Sequence, residues 1–288
     1  MKIQPECIPC LLRRVIFEAE LVAPEKALKA VTDACAILSR ADPNTVSVRI
    51  ATEVHRHTYA LLENADPYKK LKEKSTQVAL GLLPRAKALI KNAENPLETA
   101  LLMSIAGNVL DFGIRKDLND PTALAKVFDT IVKEGLYVNE LNSALSTLDK
   151  GAEVLYFTDN CGEVVFDALL IEQLKALGLK ITAVVKDAPI LTDATPQDIQ
   201  TIEFSPHHVL TTGSNAVGID FESIGDELKE RLETAPLIIS KGMANFEAFS
   251  ETTYTPILYV MRTKCRPVAE ALSVPVDVNV AKLVRPSS

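Results

Sequence analysis

The stretch Val154-Leu155-Tyr156-Phe157-Thr158-Asp159-Asn160-Cys161-Gly162-Glu163 is an apolar run that ends abruptly in a carboxylate, an amide and a glycine. Its first five residues are β-branched, aromatic or aliphatic, the make-up of a strand buried on both faces. From Glu163 the pattern changes. Val164, Val165, Leu169, Leu170 and Leu174 recur at helical spacing, so Asp159 to Gly162 reads as a turn joining a strand to a helix. In an open α/β sheet that junction lies at the carboxyl edge of the strands, where ligands bind.

The same rhythm continues after Gly151. Residues 154–158, 181–186, 209–212, 237–240 and 256–261 read as strands, and 163–177, 196–202, 222–234 and 243–249 as helices. Such alternation predicts an α/β fold with a mostly parallel sheet and helices on both faces. Upstream, residues 1–149 read as an all-α region packed against the sheet, broken at Ala23-Pro24, Asp42-Pro43, Asp66-Pro67, Asn95-Pro96 and Asp120-Pro121, because X-Pro disfavours helical geometry just before it. The boundary is placed near Lys150-Gly151, leaving 150–288 as the α/β region, whose strand ends are candidate metal- and phosphate-binding sites.

Composition narrows the partners. With 288 residues and 47% hydrophobic content the chain can bury a large core. It has no apolar run of the roughly 18 to 20 residues that a membrane helix needs, and Met1-Lys2-Ile3-Gln4-Pro5-Glu6 lacks the apolar core of a signal peptide, so the cytoplasm is the default location. Five cysteines, an odd number, fit a reducing compartment. A net charge of −7 and the absence of tryptophan argue against a nucleic-acid polymer, while a few local cations still allow a small anion.

Three strand ends carry the chemistry. At the first, Asp159-Asn160 offers oxygen ligands suited to a hard divalent cation, and it also suits a helix N-cap. At the second, Asp193 precedes a helix start and has the same two readings. Adjacent parallel strands lie about 5 Å apart, which would set Asp193 across a metal-sized gap from the pair. At the third, Lys241-Gly242 precedes a helical pattern, so a lysine charge and free backbone N–H groups can meet a phosphate; the plain alternative is a solvated lysine. Asn108, in the apolar segment Met103 to Gly113, needs a partner, either structural or substrate.

Other candidates are weaker. His55 and His57 point to different faces of a helix, and His207-His208 reads as loop. Cys7-Ile8-Pro9-Cys10 is a lone CxxC opening a helical region, without the βαβ context of a thioredoxin-like motif or a second CxxC for zinc. Packing thiols, or a redox or metal-binding module using Cys7 and Cys10, stay open.

Taken together, these motifs resemble the metal-dependent damage-control phosphatases, whose domain was first described as of unknown function, and within them the group with an N-terminal CxxC. The resemblance runs through Cys7 to Arg14, Glu53-Val54-His55-Arg56, Asp66-Pro67-Tyr68, Gly107-Asn108, Asp159 to Glu163, Asp193-Ala194-Thr195, Lys241 to Glu247 and Lys264 to Ala269. It implies a divalent ion (Mn²⁺, Ni²⁺, Co²⁺ or Mg²⁺) held by Asp159, Asn160 and Asp193. It further implies hydrolysis of small phosphorylated metabolites, with nucleotides or their precursors favoured and sugar phosphates or phosphopantetheine as other options.

In that reading Lys241 neutralises a phosphate oxygen, the turns at Gly162, Glu163 and Gly242 help to bind it, and Asn108 and Asn245 orient the substrate. A covalent route through Asp159, as in haloacid-dehalogenase phosphatases, lacks the second Asp two residues on, where Cys161 stands. An S-adenosylmethionine-dependent carboxyl methyltransferase is the alternative enzyme; the Gly-rich loop its cofactor expects after the first strand is missing.

Overall fold

In the computed structural model, residues 1–107 and 129–285 are described. Helices α1 (Cys7–Val22), α2 (Ala27–Leu38), α3 (Ser47–Leu62), α4 (Lys69–Asn92) and α5 (Pro96–Gly107) come first. A two-residue strand, β1 (Val138–Asn139), and the short α6 (Leu141–Leu145) follow. The alternating part runs β2 (Glu153–Phe157), α7 (Cys161–Ala176), β3 (Lys180–Val185), α8 (Pro196–Ile199), β4 (His208–Thr211) and α9 (Asp226–Thr234). It ends with β5 (Leu237–Lys241), α10 (Met243–Phe249), β6 (Ile257–Arg262), α11 (Arg266–Leu272) and β7 (Asn279–Val284).

The seven strands form one sheet in the order β1-β7-β6-β5-β2-β3-β4, parallel throughout except for the antiparallel pair β6 and β7. The α/β architecture expected from the alternating pattern is what the chain adopts. Two strands escape the sequence reading. β1 is too short to show any period, and it places a strand inside the stretch read as wholly helical. β7 carries Lys282 in a short, mixed run.

The apolar runs of β2, β5 and β6 (residues 154–157, 237–239 and 257–261) are unbroken because both faces are covered. On β2, Val154 and Tyr156 face one core while Leu155 and Phe157 face the other; on β6, Leu258 and Val260 alternate with Ile257, Tyr259 and Met261 in the same way. The first core is closed by α4, α5 and α7, and the second by α1, α2, α3, α10 and α11. Each fully buried large apolar side chain contributes about 1.5–3 kcal/mol relative to exposure, so the polar ends of these interior strands are set by a rigid layer.

From β2 the chain steps outward to β3 and β4, then returns to β5 on the other side of β2. The order therefore reverses between β2 and β5, and the crevice beyond their carboxyl ends is where an open α/β sheet takes its ligands.

Candidate active site

Phe157 pairs in register with Val184 on β3 and with Ser240 on β5, so Asp159 leaves the sheet between the ends of those two strands. The segment Thr192–Ala194 then folds back over the gap. Asn160 and Asp193 form an antiparallel bridge; the Cys161 N–H donates to the Thr192 carbonyl (2.9 Å) and the Ala194 N–H to the Asp159 carbonyl (2.9 Å). Asp159, Asn160 and Asp193 are thus brought together, although Asp193 is 33 residues beyond Asn160.

Neither the Asn160 nor the Asp193 side chain caps a helix. Asn160 is the N-cap residue of α7 and makes no side-chain cap bond. Its Nδ2 donates to Asp159 Oδ2 (2.9 Å) and Glu163 Oε2 (3.0 Å), while its Oδ1 accepts from the Thr192 hydroxyl (2.5 Å). The cap of α8 is Thr195, in a reciprocal capping box with Asp198, which leaves Asp193 for another role.

Asp159, Asn160 and Asp193 are 8%, 6% and 6% exposed, and carboxylates so far from water need positive charge nearby. Lys186 supplies some: its Nζ lies 3.4 Å from Asp193 Oδ2 and also meets the Gly218 carbonyl. Among the described residues, no three His, Cys, Asp or Glu side chains gather as a metal cluster. The donor set that a cation would find here is two carboxylates and an amide oxygen, which is hard-ligand chemistry and fits a divalent ion of that kind.

Lys241 differs from the expectation of a phosphate contact. Its side chain is fully buried, with Nζ 2.6 Å from Glu163 Oε1, 2.6 Å from Asp167 Oδ1 and 3.2 Å from the Ser104 carbonyl. Tyr156 also donates to Asp167 Oδ1 (2.7 Å). A lysine at the end of an interior strand, with fully buried carboxylates on the facing helix, satisfies them rather than reaching outward. Burial works to lower the Lys241 pKa, but the Asp167 and Glu163 carboxylates outweigh it and hold it above the usual lysine value. Burial pushes Asp167 up to about 6, against the opposing pull of Lys241, and its Oδ2 has no hydrogen-bond partner. Through Glu163, this network fixes which way the Asn160 amide points.

Asn245 also faces inward: its Nδ2 donates to the Thr158 and Lys241 carbonyls, 2.9 Å each, tying the ends of β2 and β5 together. The Gly242 N–H is used in the sheet, on Val260 O (3.1 Å). The residue's contribution is room: φ is +78°, and a Cβ there would sit 2.1 Å from Asp159 Oδ2. At Gly162 a Cβ would meet Ser75 Oγ at 2.1 Å, so α4 approaches the start of α7 only because that residue is glycine. Asn108 lies outside the described residues.

Cys161 is buried, its thiol raised well above the ordinary value by burial, and its Sγ contacts the Asp193 carbonyl at 3.5 Å. The CxxC pair opens α1, with Cys7 half-buried, Cys10 exposed and both thiols free. Burial raises the Cys7 thiol too, which is the wrong direction for a reactive thiolate. His55 is buried beside Glu18, whereas His57 is exposed and pairs with Asp33, as their spacing on one helix requires.

Thr192, Lys186 and Asp167 are the residues that sequence reasoning missed. Asp167 carried a signal, because an aspartate within the apolar run Val164-Val165-Phe166-Asp167-Ala168-Leu169-Leu170 must be paired if the helix is buried. Thr192 and Lys186 gave none, since their roles depend on a loop folding back.

Fold and edge together define an α/β protein with an oxygen-rich site at its topological switch point. The damage-control phosphatase ARMT1-like domain matches residues 3–280, and the chain belongs to that family. It is 37% identical to a damage-control phosphatase of Archaeoglobus fulgidus, over 99% of this chain and 100% of that one. It is 29% identical to a damage-control phosphatase of Pyrococcus horikoshii, over 96% of each. The crystal structure of a DUF89 family protein from Pyrococcus horikoshii superimposes with a TM-score of 0.86 at 28% identity, covering 100% of both chains. Family membership makes the chain a phosphatase with a house-cleaning role, and no helix among the described residues is long and apolar enough to cross a membrane.

Proposed function

We propose that this chain hydrolyses small phosphate monoesters at the carboxyl edge of β2, β3 and β5, with a divalent ion (Mn²⁺, Ni²⁺, Co²⁺ or Mg²⁺) held by Asp159, Asn160 and Asp193. The observation that supports the reading is the Asn160–Asp193 bridge, a backbone pairing that brings the Asp193 segment beside Asp159-Asn160 at the switch point. When bound, such an ion polarises the phosphoryl group and offsets its charge. The chain's own residues prepare the place. Thr192 and Glu163 hold the Asn160 amide in one orientation, Lys186 tempers the charge of Asp193, and Gly242 lets the β5 backbone pass against Asp159.

With Lys241 enclosed beneath the site and Lys186 engaged by Asp193 and the Gly218 carbonyl, the phosphate charge is met in part by half-buried Lys264, just past β6 on the same edge. The substrates favoured are nucleotides or their precursors, by resemblance to the CxxC group. The test is release of phosphate from a generic aryl phosphate by the purified chain, with and without a chelator and each metal in turn. Activity should vanish with chelator, return with metal, and be lost in Asp159→Ala and Asp193→Ala. Chelator-resistant hydrolysis, or full activity in either variant, refutes the reading.

A further inference from the structure

The backbone that delivers Asp193 is held in an unfavourable shape. Asp193 N–H donates to the Ile190 carbonyl (3.1 Å), closing a four-residue turn whose first central residue, Leu191, has φ +48°. That place in a turn is ordinarily taken by glycine, because a side chain at positive φ crowds its own backbone. A leucine stays there only when its surroundings over-determine it.

The surroundings supply one specific tie. The Leu191 N–H, which points away from the turn, donates to the phenol oxygen of Tyr59 on α3 at 3.0 Å. Tyr59 is itself fixed, buried in the second core one turn after His55, with the two rings 6.4 Å apart. Behind them Glu18 of α1 takes the Tyr68 hydroxyl (3.2 Å) and lies 2.7 Å from His55 Nδ1. A glutamate and a histidine in an otherwise apolar core make a costly support, and it stands directly behind the turn that carries Thr192 and Asp193.

We propose that Tyr59 is a positioning residue of the site: it clamps Leu191 in the left-handed conformation, so that Thr192 reaches Asn160 and Asp193 completes the ligand set. This rests on the assignment of Asp159, Asn160 and Asp193 as the cation site. Residues that orient metal ligands typically change metal affinity 10–100-fold when altered, and the loss of one hydroxyl belongs at the lower end of that range.

The experiment is Mn²⁺ binding by titration calorimetry, with thermal unfolding alongside, on the wild-type chain, Tyr59→Phe, Leu191→Gly and the double variant. Tyr59→Phe should bind Mn²⁺ about 10-fold more weakly. Leu191→Gly alone should bind as the wild type does, and the double variant should regain most of the lost affinity, since glycine takes positive φ without a clamp. Unchanged Mn²⁺ affinity in Tyr59→Phe, or a double variant as weak as Tyr59→Phe, overturns the proposal and leaves Tyr59 a packing residue. A wild-type chain that takes up no Mn²⁺ overturns the cation site itself, and this proposal with it.

Discussion

Replacing Lys241 with methionine separates the enclosed lysine from the phosphate contact that its place at a strand end suggests. The change keeps roughly the same length while deleting the ammonium that lies 2.6 Å from both Glu163 and Asp167, all three side chains being fully buried. Removing one member of a buried ionic group leaves an uncompensated charge and costs about 3–5 kcal/mol. Asp167 softens this. With its pKa already at about 6, it protonates in the variant at a cost of about 1.4 kcal/mol per pH unit, so the loss should be smaller at pH 5.5 than at pH 8.

Urea unfolding at both pH values, read from the midpoints, measures the loss. Adding Glu163→Gln and Asp167→Asn to Lys241→Met should recover most of it, because a neutral group of the same shape has no charge to desolvate. A loss below about 1 kcal/mol at pH 8, with substrate KM strongly raised, would show that the ammonium faces the ligand and would refute this account of the network.

Three further outcomes follow from the same geometry. Gly242→Ala forces a Cβ against Asp159 Oδ2 at a residue with φ +78°; it should cost about 1–2 kcal/mol in stability and, by displacing Asp159, lower kcat/KM at least 100-fold, checked by calorimetry and steady-state kinetics. Gly162→Ala, which meets Ser75 instead, should lower the melting temperature through the α4 and α7 packing. Asp167 has a folded pKa raised by burial to about 6 from 3.8, so its stabilising effect is full below pH 4 and is lost as pH rises through 6. The stability of wild type relative to Asp167→Asn should therefore fall by about 2 kcal/mol between pH 4 and pH 7 in urea unfolding, and a flat difference would contradict the shift.

Much of this was legible in the sequence because parallel strands buried on both faces appear as unbroken apolar runs. Val154 to Phe157 and Leu237 to Ile239 are of that kind, and the polar residues that end them mark the carboxyl edge of the sheet. What stayed hidden depends on contacts between distant segments. The direction of the Lys241 side chain is decided by Glu163 and Asp167 across a helix interface, so a strand-end lysine reads the same whether it faces ligand or core. Asn245 is hidden likewise, because its partners are backbone carbonyls. β1 could not be seen, since two residues carry no period and exist as a strand only through pairing with β7.

The central claim is that Asp159, Asn160 and Asp193 hold a divalent ion at the switch point. Titration of Mn²⁺ followed by electron paramagnetic resonance, on the wild-type chain and on folded Asp159→Ala and Asp193→Ala variants, tests it most directly. The account predicts a single bound ion in the wild type and none in either variant. Equal Mn²⁺ uptake by the wild type and both variants would contradict it.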